Sequence, residues 1–405
     1  MQPTPHAVMS NDVLLTETLL PIAPTAPVKT PPELLFIDGE GHFDHLLMDI
    51  ARAQTSIDLE SYLFQNDALG QRVAAALIQA AQRGIRVRVM VDGAGSPLWG
   101  TGLAQSLERA GAETKVYHPF PWSLWDWSRS FIHVPWLLRW MYLLLKINFR
   151  NHRKVCVIDN HVAYVGSFNI TQLHLSEATG GESWRDTSVR LEGPDISELT
   201  HAFDAAWHHR PIKERLRQTF GEVRRDPRIR LNYTWYRRRI LYKHLLRKLN
   251  RCKTRVWITN AYFVPDNFLL KRLRDAAKRG VDVRILLPQH SDVMMMPWAS
   301  STFYYNLLRT GIRIFEYLPS VLHAKTLILD DWMLIGSSNL NHRSLLHDLE
   351  ADIHIRTESA REKLAQQFLI DLNHAREISL PTWHMQRPWY GRFFGRLVLY
   401  IKYLI

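Results

Sequence analysis

Cysteine is nearly missing from this chain. Two residues, Cys156 and Cys252, stand among 405, too few for a disulfide framework or a cysteine-based metal site. Both lie in apolar local patterns and read as buried thiols, so a reducing compartment is expected. Long hydrophobic runs are missing as well. A membrane-spanning helix needs about 18 uninterrupted apolar residues, and the nearest approach, Val134 to Ile147, is broken by Pro135, Arg139 and Lys146. No basic stretch followed by an apolar core marks the N-terminus, so no signal peptide is expected. No cluster of His, Cys, Asp or Glu has metal-ligand spacing, and neither metal nor cofactor is expected. Acidic residues are in deficit: 39 Asp and Glu against 51 Lys and Arg leave a net charge of +12. With a pI near 9.7, the expected partner is negative: nucleic acid, an anionic membrane surface or a phosphate-bearing substrate. At 46% apolar and 22% charged residues the chain is globular rather than disordered, and long enough for two domains, each with its own core.

What is present is a duplication. His45-Leu46-Leu47 with Ile50 and Ala53 matches His244-Leu245-Leu246 with Leu249 and Cys252 at the same spacing, and both read as amphipathic helices. Alternating apolar segments follow each, Ser56 to Leu59 and Arg255 to Ile258. Next come Ala80-Ala81-Gln82-Arg83-Gly84 feeding Ile85 to Val89, and Ala276-Ala277-Lys278-Arg279-Gly280 feeding Val281 to Ile285. Each reads as a helix, a glycine cap and a buried strand. Strands alternating with helices imply a largely parallel sheet with helices on its faces. The strongest repeat is His152-Arg153-Lys154, Asp159 and Gly166-Ser167-Phe168-Asn169, matched by His323-Ala324-Lys325, Asp330 and Gly336-Ser337-Ser338-Asn339. From Asp to Gly the first copy takes seven residues and the second six. A carboxylate follows in each, Asp186 and Glu350, and then a strand pattern.

His and Lys two apart on a strand share a face, and Ser and Asn arrive on the next strand. Lysine supplies compact positive charge, while Ser and Asn donate hydrogen bonds. The set can cradle phosphate without a metal. Two half-sites face to face place a histidine on each side of a phosphorus atom, one as nucleophile and one as acid for the leaving alkoxide. Asp186 and Glu350, about thirty residues downstream in each copy, are the expected groups for orienting the imidazoles. A lone strand histidine is ordinarily a packed or surface residue; duplication in fixed register with Lys, Asp, Ser and Asn makes chemistry the stronger reading.

These paired segments resemble the HKD motifs of the phospholipase D superfamily across residues 34 to 375. Asn151-His152-Arg153-Lys154, Trp184-Arg185-Asp186, Leu191-Glu192-Gly193-Pro194, Ala261 to Pro265, Arg313 to Tyr317 and Gly336 to Leu340 narrow the similarity to bacterial cardiolipin synthases, chiefly the branch without transmembrane helices, cardiolipin synthase B. The resemblance implies two similar α/β/α sandwich lobes with pseudo-twofold symmetry and one active site at their interface. It implies phosphatidyl transfer between two phosphatidylglycerol molecules through a phosphohistidine, giving cardiolipin and glycerol. His152 would be nucleophile and His323 acid and base. His152, Lys154, Asp159, His323, Lys325 and Asp330 form the candidate catalytic set, Asp159 and Asp330 serving structure more than chemistry. Ser167, Asn169, Ser337 and Asn339 would serve the substrate, the serines as supports. The sequence departs from the family pattern at Asn341-His342 and at Asp348, beside the site and not in its core, which bears on acceptor specificity more than on catalysis.

The expected organisation is an N-terminal extension over 1–33, a first lobe over 34–215, a second over 216–380, and a basic-aromatic membrane-interface segment over 381–405. Trp122, Trp125, Trp127, Phe131, Trp136, Trp140 and Tyr142 crowd one stretch among Arg129, Arg139 and Lys146. Such residues favour an anionic lipid interface, although a core helix or dimer surface also fits. Arg237-Arg238-Arg239 reads as a solvated helix face. Met294 to Met296 could line a lipid groove or pack in a loop. The resemblance implies a peripheral enzyme on the cytoplasmic side of a bacterial inner membrane, with phosphatidylglycerol and the membrane surface as partners. A superfamily nuclease suits the charge, but exposed grease argues against nucleic acid. Other headgroup exchangers or hydrolases, such as phosphatidylserine synthase or phospholipase D, and a non-catalytic scaffold complete the alternatives.

Overall fold

The computed structural model describes residues 33–120, 129, 149–208, 226–381, 383 and 397. The 1–33 extension, apart from residue 33, therefore lies outside the described residues, as do nearly all of the two aromatic-basic segments. The first sheet holds β1 (Leu34–Phe36), β2 (Ser56–Ser61), β3 (Arg86–Asp92), β4 (Glu113–Tyr117), β5 (Val155–Ile158), β6 (Val162–Gly166) and β7 (Ser188–Glu192). Their order is β1-β7-β6-β5-β2-β3-β4. The second holds β8 (Ile229–Leu231), β9 (Arg255–Thr259), β10 (Asp282–Pro288), β11 (Arg313–Tyr317), β12 (Thr326–Leu329), β13 (Trp332–Gly336), β14 (Ala351–Ile355) and β15 (Ala375–Ile378). Its order, β15-β11-β10-β9-β12-β13-β14-β8, repeats the first with one extra edge strand.

The sheets are mixed, and this corrects the expectation of largely parallel ones. Among the described strands only β2-β3-β4 and β9-β10-β11 run parallel, joined through helices. The motif strands form hairpins, β5 with β6 and β12 with β13, because short turns can only join antiparallel neighbours. Three residues link Ile158 to Val162 and two link Leu329 to Trp332. That single-residue difference accounts for the unequal Asp-to-Gly spacing. Asp159 and Asn160 take φ of +52° and +49°, and Asp330 +52°, conformations that Asp and Asn tolerate best among residues with a side chain.

Helices α1 (Gly39–Arg52) and α2 (Ala68–Gln82) begin at Asp38 and Asp67, whose carboxylates cap the Gly41 and Gly70 N–H groups. With α3 (Leu103–Arg109) they cover one face of the first sheet, burying Phe43, Leu46, Ile50, Val73 and Leu77. In the second lobe α5 (Trp235–Arg251), α6 (Asn267–Lys278) and α8 (Tyr304–Leu308) repeat the arrangement. Between the sheets lies a third core that both lobes share, another departure from the expectation of separate cores. Val155, Val157, Val165 and Val189 meet Ile328, Met333, Ile335 and Ile353 there, with α4 (Ser197–Trp207) and α9 (Glu358–Asn373) alongside. Alternation explains the continuous apolar runs. Val155 and Val157 face the shared core while Cys156 and Ile158 face the helices, so every position of β5 is buried. Arg238 of the expected solvated run is buried instead, its guanidinium donating to the Leu346 carbonyl at 2.9 Å.

Candidate active site

The two motifs converge where the lobes meet. Extended backbone runs from Asn151 to Lys154 and from Leu322 to Lys325, just ahead of β5 and β12. Each segment is stitched to the other lobe. His152 N–H donates to the Leu349 carbonyl at 3.0 Å and Leu349 N–H to Arg150 at 2.8 Å. By the same pattern His323 N–H donates to the Arg185 carbonyl and Arg185 N–H to Val321, both at 2.9 Å. Leu349 and Arg185 are the residues directly before the two carboxylates. Each imidazole is thereby delivered to the carboxylate of the opposite lobe. His152 Nδ1 lies 3.1 and 3.2 Å from the Glu350 oxygens, and His323 Nδ1 lies 2.7 Å from Asp186 Oδ2. The expected same-copy pairing gives way to a crossed one, so neither lobe holds a complete half-site alone.

Around these pairs the duplicated residues take matching places. Lys154 Nζ donates to the His152 carbonyl at 2.7 Å, and Lys325 Nζ to that of His323. Asn169 and Asn339 accept from the Leu63 and Tyr262 N–H groups at 3.4 and 3.2 Å, which leaves the NH2 side of each amide for another acceptor. Ser167 and Ser337 donate their hydroxyl protons to Asp186 and Glu350. They hold the carboxylates, the supporting part of their expected role. All these side chains are buried.

Asp159 and Asp330 lie elsewhere. Each sits past the far end of its motif strand, accepting from a run of backbone N–H groups: 54 to 56 for Asp159 and 253 to 255 for Asp330. Four strand residues at roughly 3.3 Å each separate them from the lysines, too far to touch a shared substrate atom. Their place in the candidate catalytic set is corrected to that of turn clamps.

Electrostatics divide the two carboxylates. Burial, then the ammonium groups of Lys154 and Lys325, push the His152 pKa well below its ordinary value. Its partner Glu350 is raised to about 7 by burial, against the pull of Lys154 and of the Ser337 and Ser344 hydroxyls. The pair is close to neutral. Asp186 is the reverse: burial opposes its charge, but His323, Lys325 and His174 hold it below the usual carboxylate range. Lys154 is lowered to about 7 by burial and by Lys325, and Lys325 to about 8 by burial.

Sequence reasoning missed several neighbours. His174 accepts from Asn169 N–H at 3.2 Å and stands 3.7 Å from Asp186, where the second lobe has Ser344. Tyr62 packs against His152 with ring centroids 5.1 Å apart and lies 5.1 Å from Lys154 Nζ. Tyr262 donates to Asp292. Only His174 had a possible signal, being a histidine seven residues past the GSxN serine; the repeat hid it, because its counterpart is serine.

Fold and site together define a two-lobed phosphodiester-transfer enzyme of the phospholipase D type. The family model "Cardiolipin synthase, PLD-like domain" matches residues 46–207 and 245–372. Curated cardiolipin synthases are similar over most of their length. That of Alkalihalophilus pseudofirmus is 30% identical over 372 residues, 89% of this chain and 69% of its own. That of Staphylococcus aureus is 29% identical, covering 88% and 70%. Among solved structures, a phosphatidylserine synthase of Haemophilus influenzae superposes with a TM-score of 0.65 at 12% identity, covering 91% of this chain and 92% of its own. The chain belongs to the cardiolipin synthase family of phospholipase D-like phosphatidyltransferases.

Proposed function

We propose that this enzyme joins two phosphatidylglycerol molecules into cardiolipin, releasing glycerol, with His152 as nucleophile and His323 as acid and base. The crossed, unequal histidine–carboxylate pairs carry the reading. Nδ1 of each ring faces its carboxylate, so Nε2 is the reactive atom. His152 is kept unprotonated and its lone pair attacks phosphorus, forming a P–N bond. The glycerol oxygen leaves with a proton from His323, whose imidazolium is stabilised by ionised Asp186. In the second half a phosphatidylglycerol hydroxyl gives its proton to His323, attacks the phosphohistidine and frees His152. Lys154, Lys325 and the amides of Asn169 and Asn339 hold the phosphate oxygens and stabilise the charge that develops on them.

The substrate is part of a bilayer, and a net charge of +12 favours anionic lipid surfaces. Among the described residues no helix is long and apolar enough to cross a membrane; peripheral attachment to the inner face of the cell membrane is part of the proposal and rests on the charge. The decisive test incubates the purified chain with phosphatidylglycerol labelled in the headgroup glycerol. Cardiolipin and free labelled glycerol in equal amounts are expected. Phosphatidic acid alone would make it a hydrolase, and cleavage of single-stranded DNA without lipid turnover would make it a nuclease.

A further inference from the structure

Beside the site the lobes also differ in how their space is filled. In the second lobe, Val264, Met296 and Ala299 close up as a small buried cluster with Tyr262 and Phe303. The corresponding region of the first lobe is an open cavity of about 490 Å³, walled by Leu63, Phe64, Pro97, Leu98, Trp99 and Leu103. The cause lies in the chain. Between the end of β3 and the left-handed glycine after α3, Asp92 to Gly111, there are 19 steps; the equivalent stretch Pro288 to Gly311 takes 23. The extra residues build α7 (Met296–Ser301), which fills the space. Residue identities agree: Leu63 stands where Tyr262 stands, both at the N–H held by the motif asparagine.

We infer that the first-lobe cavity binds one acyl chain of the phospholipid whose phosphate sits against His152. This rests on the proposed lipid substrate and adds where its apolar part goes. The cavity adjoins the site: its wall starts at Leu63, whose N–H is held by Asn169 and which directly follows Tyr62, whose ring packs on His152. Its walls are mainly apolar, and Leu98 at its rim is 76% exposed, an arrangement that suits a chain entering from a bilayer. Each methylene buried there adds affinity for long chains only. The filled second-lobe position makes the binding one-sided. The donor lipid at His152 is held by its chain, and the acceptor is not held in this way.

The test compares dioleoyl with dihexanoyl phosphatidylglycerol in wild type, in Asn66→Trp, which fills the cavity, and in Leu98→Asp, which makes its rim polar. In either variant the long-to-short ratio of kcat/KM should fall about tenfold. A ratio within about twofold of wild type in both cooperatively melting variants overturns the inference, as it would if a segment of the chain itself occupied the cavity. A phosphatidylglycerol carrying a diazirine near its acyl end gives a second reading on wild type. Adducts on residues 63–66 or 97–103 support the inference, and adducts confined elsewhere overturn it. Should wild type turn over neither lipid, the proposed reaction fails, while the adduct map still decides the cavity.

Discussion

Where the first lobe buries Glu60 against Arg153 at 3.0 Å, the second lobe has Thr259 and Ala324 at the matching positions. Where the first pairs Arg88 with Asp58 through two 2.7 Å bonds, the second places Trp257 at the aspartate's position, stacked on Phe368 with ring centroids 5.1 Å apart. The charged network of the first lobe reaches the site. Asn151, one residue before His152, donates its side chain to Glu60 at 2.9 Å and its N–H to Asp92 at 2.8 Å. The second lobe holds its motif by other means, chiefly Arg185, which clamps Asp371 at 3.0 and 2.8 Å while its carbonyl receives His323. Buried charges are costly to desolvate and add little net stability. Their use beside both histidines, through different partners in each lobe, is best read as positioning. Duplication supplied two like imidazoles, and the mechanism proposed above needs them in opposite protonation states. The asymmetry around them fits that proposal.

The harshest way to break the comparison is to remove either ring. Because each lobe completes the other's half-site, His152→Ala and His323→Ala should each lower kcat by about 10³-fold or more, with the double variant little worse. Half the wild-type rate in each single variant would instead mean two independent sites. Next in size are the orienting acids. Asp186→Asn removes the charge that stabilises a His323 imidazolium and should cost on the order of 10²- to 10⁴-fold in kcat. Glu350, raised to about 7, is already partly protonated, and glutamine keeps its shape, so Glu350→Gln should cost less than about tenfold. Equal losses in the two would erase the division of roles.

The lysines give a smaller effect, readable through pH. Lys154 and Lys325, lowered to about 7 and about 8, lose their charge as pH rises through that range, and activity at low substrate should decline on the alkaline side. Their folded pKa values lie below the usual lysine value. The cost of burying them is therefore fully present below about 7 and is relieved as pH rises from there towards about 10.4. Their contribution to stability thus grows with pH in that window while phosphate affinity falls. A bound anion should restore the protons. Sulfate binding at pH 8, followed calorimetrically in buffers of different ionisation enthalpy, should show proton uptake; none would mean that both lysines are already charged. In the proposed mechanism these ammonium groups do the electrostatic work at phosphorus, and turnover should persist in chelator.

Much of this was legible in the sequence. Two copies of one motif announced the two lobes and picked out the four His and Lys residues that the fold brings together where the lobes meet. Asp186 and Glu350 were legible as partners but not as crossed partners. His152 lies 34 residues from Asp186 and 198 from Glu350, and separation along the chain favours the wrong choice; lobe-to-lobe backbone pairing decides it. The shared core was hidden for a related reason. An apolar strand buried on both faces reads the same whether its second neighbour is a helix or another sheet. The antiparallel halves of the sheets were hidden because the three-residue and two-residue turns after the motifs carry no glycine.

The smallest expected effect concerns the motif aspartates, where the two lobes should behave alike. Asp159 accepts from the Gln54, Thr55 and Ser56 N–H groups and the Thr55 hydroxyl, and Asp330 repeats this with Lys253, Thr254 and Arg255. Burial opposes the charge of Asp330, but these bonds win and lower its pKa to about 2; Asp159 moves in the same direction for the same reasons. A folded pKa below the unfolded value near 4 means that the stability from each clamp is present above about 4 and is lost as pH falls through the folded pKa, which for Asp330 is about 2. Asparagine keeps one acceptor oxygen and loses the charge that strengthens the bonds. Both carboxylates are partly exposed to water, so Asp159→Asn and Asp330→Asn should each cost only about 0.5–2 kcal/mol at neutral pH, as other capping losses do. That loss would appear as an earlier denaturant midpoint with an unchanged slope, and kcat should stay within about twofold. If Asp159→Asn instead lost activity on the scale of His152→Ala while remaining folded, the clamp would be part of the chemistry and the division between site and scaffold drawn here would be wrong.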